Sequence, residues 1–450
     1  MLNFAKTLLD YKDQERTNHI FLIVSLLISI AYISIRFVDN IYFAKPNLGD
    51  EWFFYRDFSY YLMNGYYDSV LNGTSIPLML IAKIIFFFTS NISISLRLAN
   101  SIMVLLIFIY LLNRENLIVK KDKLSFLFFI CLMIGTAGGT FYGTNDSFYS
   151  LGLLIILCEC YLFYKHNTYN HVLLILSFTL CILSRPHWII NIPLIIICCM
   201  IFNFIQNKCS FKLMYKPIAL SFIVSLVISF LFNYPKIIEG NFSHSQGEYL
   251  PKYLFLSYSD KSNTYKTNDS SFNWIQWHFF SQNIASSKLF GLFSPMVEWD
   301  EVKEYKDFHG ENSLPRSYLQ YVKGYPFEVI KRVPVALIET FLMSIRYMGF
   351  FLFLLPMWLF LKYRGGDIKL NSFFVPTIVI LTILSYAILL PRMLDNRWFL
   401  PIYILTMIFV YDQNQYLKSV LKDNIVILNM FLMNIITVWA LWKWKIFLNI

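Results

Sequence analysis

Carboxylates and arginines stand at four places where an otherwise apolar chain turns polar. Asp50 and Glu51 follow Gly49, ahead of the aromatic stretch EWFFYRDFSYYLMN. Asp146 sits in GTFYGTNDSF, Arg185 and His187 in SRPH, and Arg392, Asp395 and Arg397 in PRMLDNRWFLP. A carboxylate in such a place can take the proton of an incoming hydroxyl as a general base. An arginine there can grip a phosphate or pyrophosphate through two parallel N–H donors. Charges at the edge of hydrocarbon are costly, which makes each a functional candidate when a partner is near.

Each residue also has an ordinary structural role. Asp50 follows a glycine and precedes a helix, so it can serve as an N-cap, and Asp146 can cap the segment after it. Arg185 and Arg397 can snorkel toward headgroups, and Arg397 can pair with Asp395. Lys83, in the apolar run SIPLMLIAKIIFFFT, reads as a snorkelling lysine with phosphate contact as its alternative. Glu159 reads as solvated near the end of its span. His244, Glu248, His278 and His309 lack the spacing of metal ligands. These residues are not read as a metal set. The joint pattern exceeds these separate roles: an acid after the first apolar span, an acid between two later ones, and an arginine before a late one share one side of a membrane.

The elements that would position these residues are membrane helices. Apolar residues make up 57% of 450, and charged ones 15%, against roughly 45–50% and 25% in soluble domains. Mean hydropathy is +0.53. A net charge of +10 raises nucleic acid as a partner, but basic loops beside anionic lipid account for it, and no zinc-finger spacing or RNA-binding motif is present. Six of the seven cysteines fall in apolar segments and Cys209 in a short basic loop, so no disulfide framework is expected. The first apolar run is followed by no small-residue cleavage site and reads as a retained helix.

A membrane-spanning helix needs about 20 mostly apolar residues. Candidate spans are 19–38, 95–113, 124–140, 148–164, 171–187, 188–206, 217–233, 345–361, 371–390, 398–411 and 425–442, eleven in all. Lysines and arginines crowd one set of connections: Arg114 to Lys123, Lys165, Lys208 to Lys216, Lys362 to Lys369, and Lys418 with Lys422. That set and the N-terminal tail are placed in the cytoplasm by the positive-inside rule. The C-terminus then falls outside, against the charge of Lys443 and Lys445. Two longer segments face outward. The first, 39–94, holds an aromatic helix that suits the membrane interface and a short apolar helix over 75–89. The second, 234–344, is polar and rich in Trp and Tyr. The chain divides into an N-terminal membrane module (1–233), the large outer loop (234–344) and C-terminal membrane helices (345–450).

This arrangement resembles the GT-C superfamily of membrane glycosyltransferases, which take sugar from a polyprenyl-linked carrier. The resemblance rests on the acidic Gly49-Asp50-Glu51-Trp52 in the first outer loop, then the aromatic helix and turn at Tyr60 to Tyr66. Ile76-Pro77-Leu78, Leu96-Arg97-Leu98, Asn145-Asp146 and Arg397-Trp398-Phe399-Leu400-Pro401 follow in order. It covers the first 200 residues well and the last 60 loosely. It implies an all-α, GT-C-like polytopic fold. It also implies an inverting sugar transfer from a polyprenyl-phosphate sugar to a surface glycan or lipid-linked acceptor, on the outer face of a bacterial inner membrane. Asp50 is then the expected base, with Glu51 as second choice and Asp146 orienting the acceptor. Arg397, Arg185 and Lys83 are expected at the donor phosphate. A divalent metal is left undecided, because the first outer loop has no Asp-x-Asp pair and the family works both with and without metal. The composition resembles bacterial enzymes that decorate lipopolysaccharide or O-antigen. An O-antigen polymerase ranks second, and a transporter or flippase third, since no internal repeat is present and the polar groups gather on one face.

Overall fold

The structure, a computed structural model, describes residues 11–43, 51–71, 75–119, 122–137, 140–166, 168–185, 188–206, 216–240, 344–364, 373–389, 396–413 and 419–447, with isolated positions between 323 and 340. Over these residues the chain is all-helical, without strand. The helices are α1 (Tyr11–Val38, continued by a π-helical turn, Asp39–Phe43), α2 (Glu51–Leu71), α3 (Ile76–Thr89), α4 (Ile92–Asn113), α5 (Lys123–Thr136), α6 (Asp146–His166) and α7 (His171–Ser184). There follow α8 (Trp188–Gln206), α9 (Lys216–Phe232), α10 (Tyr234–Ile238), α11 (Phe351–Arg364), α12 (Phe374–Leu389), a 3-10 turn (Asn396–Phe399), α13 (Leu400–Gln413) and α14 (Ser419–Phe447).

Local sequence explains the main boundaries. Asn91 caps α4 by accepting from the Ile94 amide at 3.0 Å, and Asn170 caps α7 by accepting from Leu173 at 3.2 Å. Pro77 opens α3 in the first turn, where its missing N–H costs nothing. In α2 the backbone leaves helical geometry at Gly65 (φ 83°), a left-handed value that glycine adopts without steric cost. Helix α7 stops at Ser184 because Arg185 precedes a proline and takes an extended conformation. The expected span 171–187 is shortened accordingly.

Helix α6 is the axis of the bundle. Every residue from Asp146 to Phe163 is buried, and α4, α7, α8 and α13 pack against it. Glycine sets the closest approaches. A Cβ on Gly152 would lie 2.7 Å from Cys181 Sγ and 2.8 Å from the Ser177 carbonyl on α7. One on Gly135 of α5 would lie 2.8 Å from the Tyr32 ring on α1. The outward faces are apolar instead. Leu220, Ile223, Val227 and Leu231 on α9, and Phe431, Ile435, Val438 and Trp442 on α14, recur every three or four residues and are each more than half exposed. Stripes of this kind suit lipid rather than water.

Among the described residues three helical segments are long and apolar enough to cross a membrane: His19–Tyr42, Ile92–Asn113 and Asp146–His166. Seven further apolar helices are shorter. A 14-residue helix such as α3 or α7 covers about 21 Å at 1.5 Å per residue, less than the roughly 30 Å of hydrocarbon. The segment 39–94 does contain the two expected helices, α2 and α3. Most of the large outer loop, with Trp274, Trp277 and Trp299, lies outside the described residues, as do Asp50, His187, Arg392, Asp395 and Cys209. The six described cysteines are free and buried.

Substituting Gly152→Val forces α6 and α7 apart. Overpacking costs about 1–3 kcal/mol, so the detergent-solubilised protein should melt several degrees lower, while lipid-facing Val227→Leu should melt like wild type. An unchanged melt for Gly152→Val would contradict the close packing.

Candidate functional site

The connection between α5 and α6 is buried rather than solvated, which is unusual for a loop. Its backbone is satisfied by side chains, as burial requires. Asn100 of α4, fully buried, donates to the carbonyls of Thr140 (2.8 Å) and Tyr142 (2.9 Å). It also accepts from the Ser147 amide at 3.1 Å. Ser147 Oγ closes the turn by donating to the Thr140 carbonyl at 2.9 Å. The turn therefore delivers Asp146 in one orientation to the first residue of α6, where the helix dipole favours an acid.

A second buried acid braces the same turn. Glu51 receives Arg97 Nε at 2.7 Å and Nη2 at 2.8 Å, and it accepts the Gly143 amide at 2.9 Å. Both side chains are only 3% exposed. Arg97 Nη1 also donates to the Ile41 carbonyl at 3.3 Å. A Cβ at Gly143 would lie 2.8 Å from Glu51 Oε1 and 2.9 Å from Leu96 Cβ, so a glycine is needed for the carboxylate to reach the amide. Both oxygens of Glu51 are engaged in holding α2, α4 and the 140–147 turn together. Arg97 is in a motif the sequence displays, yet its partner lies 46 positions away, beyond any local spacing.

Asp146 is gripped by two arginines from distant parts of the chain. Arg397 Nη1 donates to Oδ2 at 2.9 Å, and Arg185 Nη2 forms an ion pair with Oδ1. Thr144 Oγ1 adds a hydrogen bond to Oδ2 at 2.9 Å. The side chains of Asp146, Arg185 and Arg397 are 5%, 16% and 14% exposed. Arg397 and Arg185 thus pair with Asp146 rather than snorkelling. Two guanidinium groups against one carboxylate leave the trio with a surplus positive charge.

Polar atoms without partners gather around this trio. Arg185 Nε, Ser184 Oγ and Asn145 Oδ1 are buried and have no hydrogen-bond partner among the described residues. The Asn145 amide nitrogen is committed to the Ser184 carbonyl. About a turn along α6, Asn191 donates to the hydroxyls of Tyr149 (2.6 Å) and Tyr386, while its Oδ1 is also unpartnered. A buried polar atom left without a hydrogen bond costs about 1–3 kcal/mol. A water, an ion or a polar ligand would satisfy such a group of atoms.

The other expected residues lie apart. Lys83 is exposed on α3, its ammonium 5.1 Å above the Tyr61 ring, a cation–π contact rather than a place in the trio. Among the described residues no three His, Cys, Asp or Glu side chains gather as a metal group. Helix α2 is tied to the end of α9 and to the residue that follows α10. Tyr66 Oη donates to the Phe232 carbonyl (2.6 Å) and Tyr67 Oη to Glu239 (2.7 Å). Burial, then the neighbouring Tyr234 and Tyr61, push Tyr66 up to about 12. Burial also lowers the pKa of Lys236 on α10.

At the far end of α6, Glu159 is fully buried rather than solvated. It holds Arg114 Nε and Nη2 at 2.7 and 2.9 Å and accepts from Tyr110 Oη at 2.9 Å and the Asn170 amide at 2.8 Å. The expectation of a solvated Glu159 fails because Arg114, 45 positions earlier, folds over it. Asp412 of α13 accepts Tyr161 Oη at 2.6 Å and pairs with Lys165.

The fold and site together define an all-helical membrane protein with a buried Arg–Asp–Arg centre at one end of its bundle. No protein-family model, curated protein or solved structure matches the chain.

A double-mutant cycle tests the brace. Losing one partner of a buried ion pair costs about 3–5 kcal/mol, so Glu51→Gln and Arg97→Gln should each be strongly destabilising, and the double variant less so than their sum. Strict additivity would show that the two groups do not support each other.

Proposed function

We propose that the chain is an inverting glycosyltransferase of the GT-C type. It moves a sugar from a polyprenyl-phosphate carrier to a surface glycan or lipid-linked acceptor. In this reading the eleven apolar helices are spans of a bacterial inner membrane, the N-terminus is cytoplasmic, and Asp146 faces the outer side. The observation that carries the reading is the buried Asp146 trio, with its surplus positive charge and its orphaned Arg185 Nε, Ser184 Oγ and Asn145 Oδ1. A phosphate ester with neighbouring hydroxyls offers acceptors for the guanidinium N–H groups and both donors and acceptors for the rest.

The chemistry follows from that assignment. The acceptor hydroxyl oxygen attacks the anomeric carbon from the side opposite the phosphate. The carbon–oxygen bond to the phosphate breaks, and the electron pair leaves with the polyprenyl phosphate. Arg397 and Arg185 offset the charge growing on the leaving oxygen, the kind of stabilisation worth several kcal/mol in a water-poor site. Asp146 aims the two guanidinium groups. The proton of the acceptor goes to Asp50. Glu51 is less suited to that task, since Arg97 and the Gly143 amide engage both its oxygens. Lys83 does not share the trio and is not needed at the phosphate.

One observation favours a second reading. Arg185 and Arg397 come from separate loops and meet at one carboxylate, and a paired-arginine site also suits an O-antigen polymerase acting on polyprenyl-linked glycan. The polymerase alters chain length, whereas the transferase adds a sugar.

Purified protein given radiolabelled polyprenyl-phosphate sugar and acceptor glycan should transfer label. Asp50→Asn should reduce the rate at least about a hundredfold, the lower range for a general base, with normal membrane insertion. Full activity in Asp50→Asn would remove Asp50 from the mechanism.

A further inference from the structure

A cavity lies at the end of the bundle opposite Asp146, about 30 Å away along the 21 residues of α6 at 1.5 Å per residue. It opens where α4 ends, α5 begins, and α6 and α13 both end, and its volume is about 530 Å³. Small-molecule sites occupy roughly 300–1,000 Å³. Its walls carry three cations, Arg114, Lys123 and Lys165, and three carboxylates, Glu115, Asp122 and Asp412.

The cations are fixed in place but not saturated. Arg114 is held by Glu159 and Lys165 by Asp412, yet their side chains remain 23% and 31% exposed. Among the described residues Lys123 Nζ makes one hydrogen bond, to the Leu112 carbonyl at 2.7 Å, and an ammonium has three donors. Spare donors around a cavity call for a ligand with several acceptor oxygens, such as a phosphate. Among the described residues the six wall charges sum to zero, so a ligand carrying both signs fits better than a bare anion. Glu115 is exposed and makes no ion pair among the described residues, so it is available to a cation. Leu117, Ile118 and Val119 add an apolar wall.

We propose that this cavity holds the head group of a zwitterionic aminophospholipid. Its phosphate faces Arg114, Lys123 and Lys165, and its primary ammonium faces Glu115. The glycerol and first acyl carbons lie along Leu117 to Val119. The site is separate from the Asp146 trio, and its occupancy does not depend on what that trio does.

The test is lipid retention by the full-length protein. The protein is delipidated in detergent and incubated with phosphatidylethanolamine, phosphatidylglycerol or phosphatidylcholine, and bound lipid is counted by native mass spectrometry. Phosphatidylethanolamine should be retained about tenfold better than the other two, a difference of 1.4 kcal/mol. Glu115→Gln should erase that preference without moving the melting temperature, and Lys123→Gln should weaken retention of all three. Glycerophosphoethanolamine, the same head group free in water, should displace the lipid only weakly. Equal retention of phosphatidylglycerol, or a preference unchanged in Glu115→Gln, would overturn the proposal. Full displacement by glycerophosphoethanolamine or by inorganic phosphate would do so too, the first showing a soluble ligand and the second a simple anion site.

Discussion

The ionised carboxylate of Asp146 is the constraint around which this end of the molecule is arranged. A charge removed from water is unstable unless it is paired and hydrogen-bonded, and Asp146 is 5% exposed. Arg185, Arg397 and Thr144 meet that requirement together. They come from three connections, so neutralising one side chain fixes the relative positions of the turn before α6, the end of α7 and the entry to α13. Glu51 and Arg97 repeat the principle a few residues away and add α2 and α4 to the same assembly. Polar pairing, rather than apolar contact, determines which loops meet here. In lipid the apolar faces of helices have little reason to prefer one neighbour over another.

The pairing is repeated at the far end of the same helices. The segment 396–413 touches α6 through Arg397 and Asp146 at one end and through Asp412, Tyr161 and Lys165 at the other. Between these anchors the interface is apolar and tightly packed, with Tyr403 to Met407 almost wholly buried. Two helices pinned at both ends cannot slide by a turn without breaking a buried ion pair. The Asp146 centre is therefore held in register along the bundle axis. Helix α2, with its break at Gly65 and its tyrosine contacts to Phe232 and Glu239, connects that centre to the end of α9 and to α10.

Much of the architecture was legible in the sequence, and the reasons are physical. Apolar runs bounded by charged or proline-containing steps located the helices, because the bilayer imposes internal hydrogen bonding on any crossing segment. The acids and arginines of the centre stood out as costly charges beside apolar runs, and Asp146, Arg185 and Arg397 were each singled out. Their convergence was not legible. Arg397 lies 251 positions from Asp146, and no local spacing encodes that contact. The ordinary reading of the arginines as snorkelling groups looked adequate until their geometry was known. Glu159 was misread for the same reason, its partner Arg114 being contributed by another helix. Span lengths were overestimated where a short-range break was decisive, as at Ser184-Arg185-Pro186, which ends α7 after 14 residues.

The central claim is that the Asp146 trio serves sugar transfer onto a surface glycan. The most direct measurement is the sugar composition and linkage of that glycan in three otherwise identical cell lines. One carries the wild-type chain, one lacks it, and one carries Arg397→Gln at matched membrane levels. The account predicts a sugar and linkage present with the wild type and absent from the other two. Identical glycans in all three would contradict it and direct attention to transport.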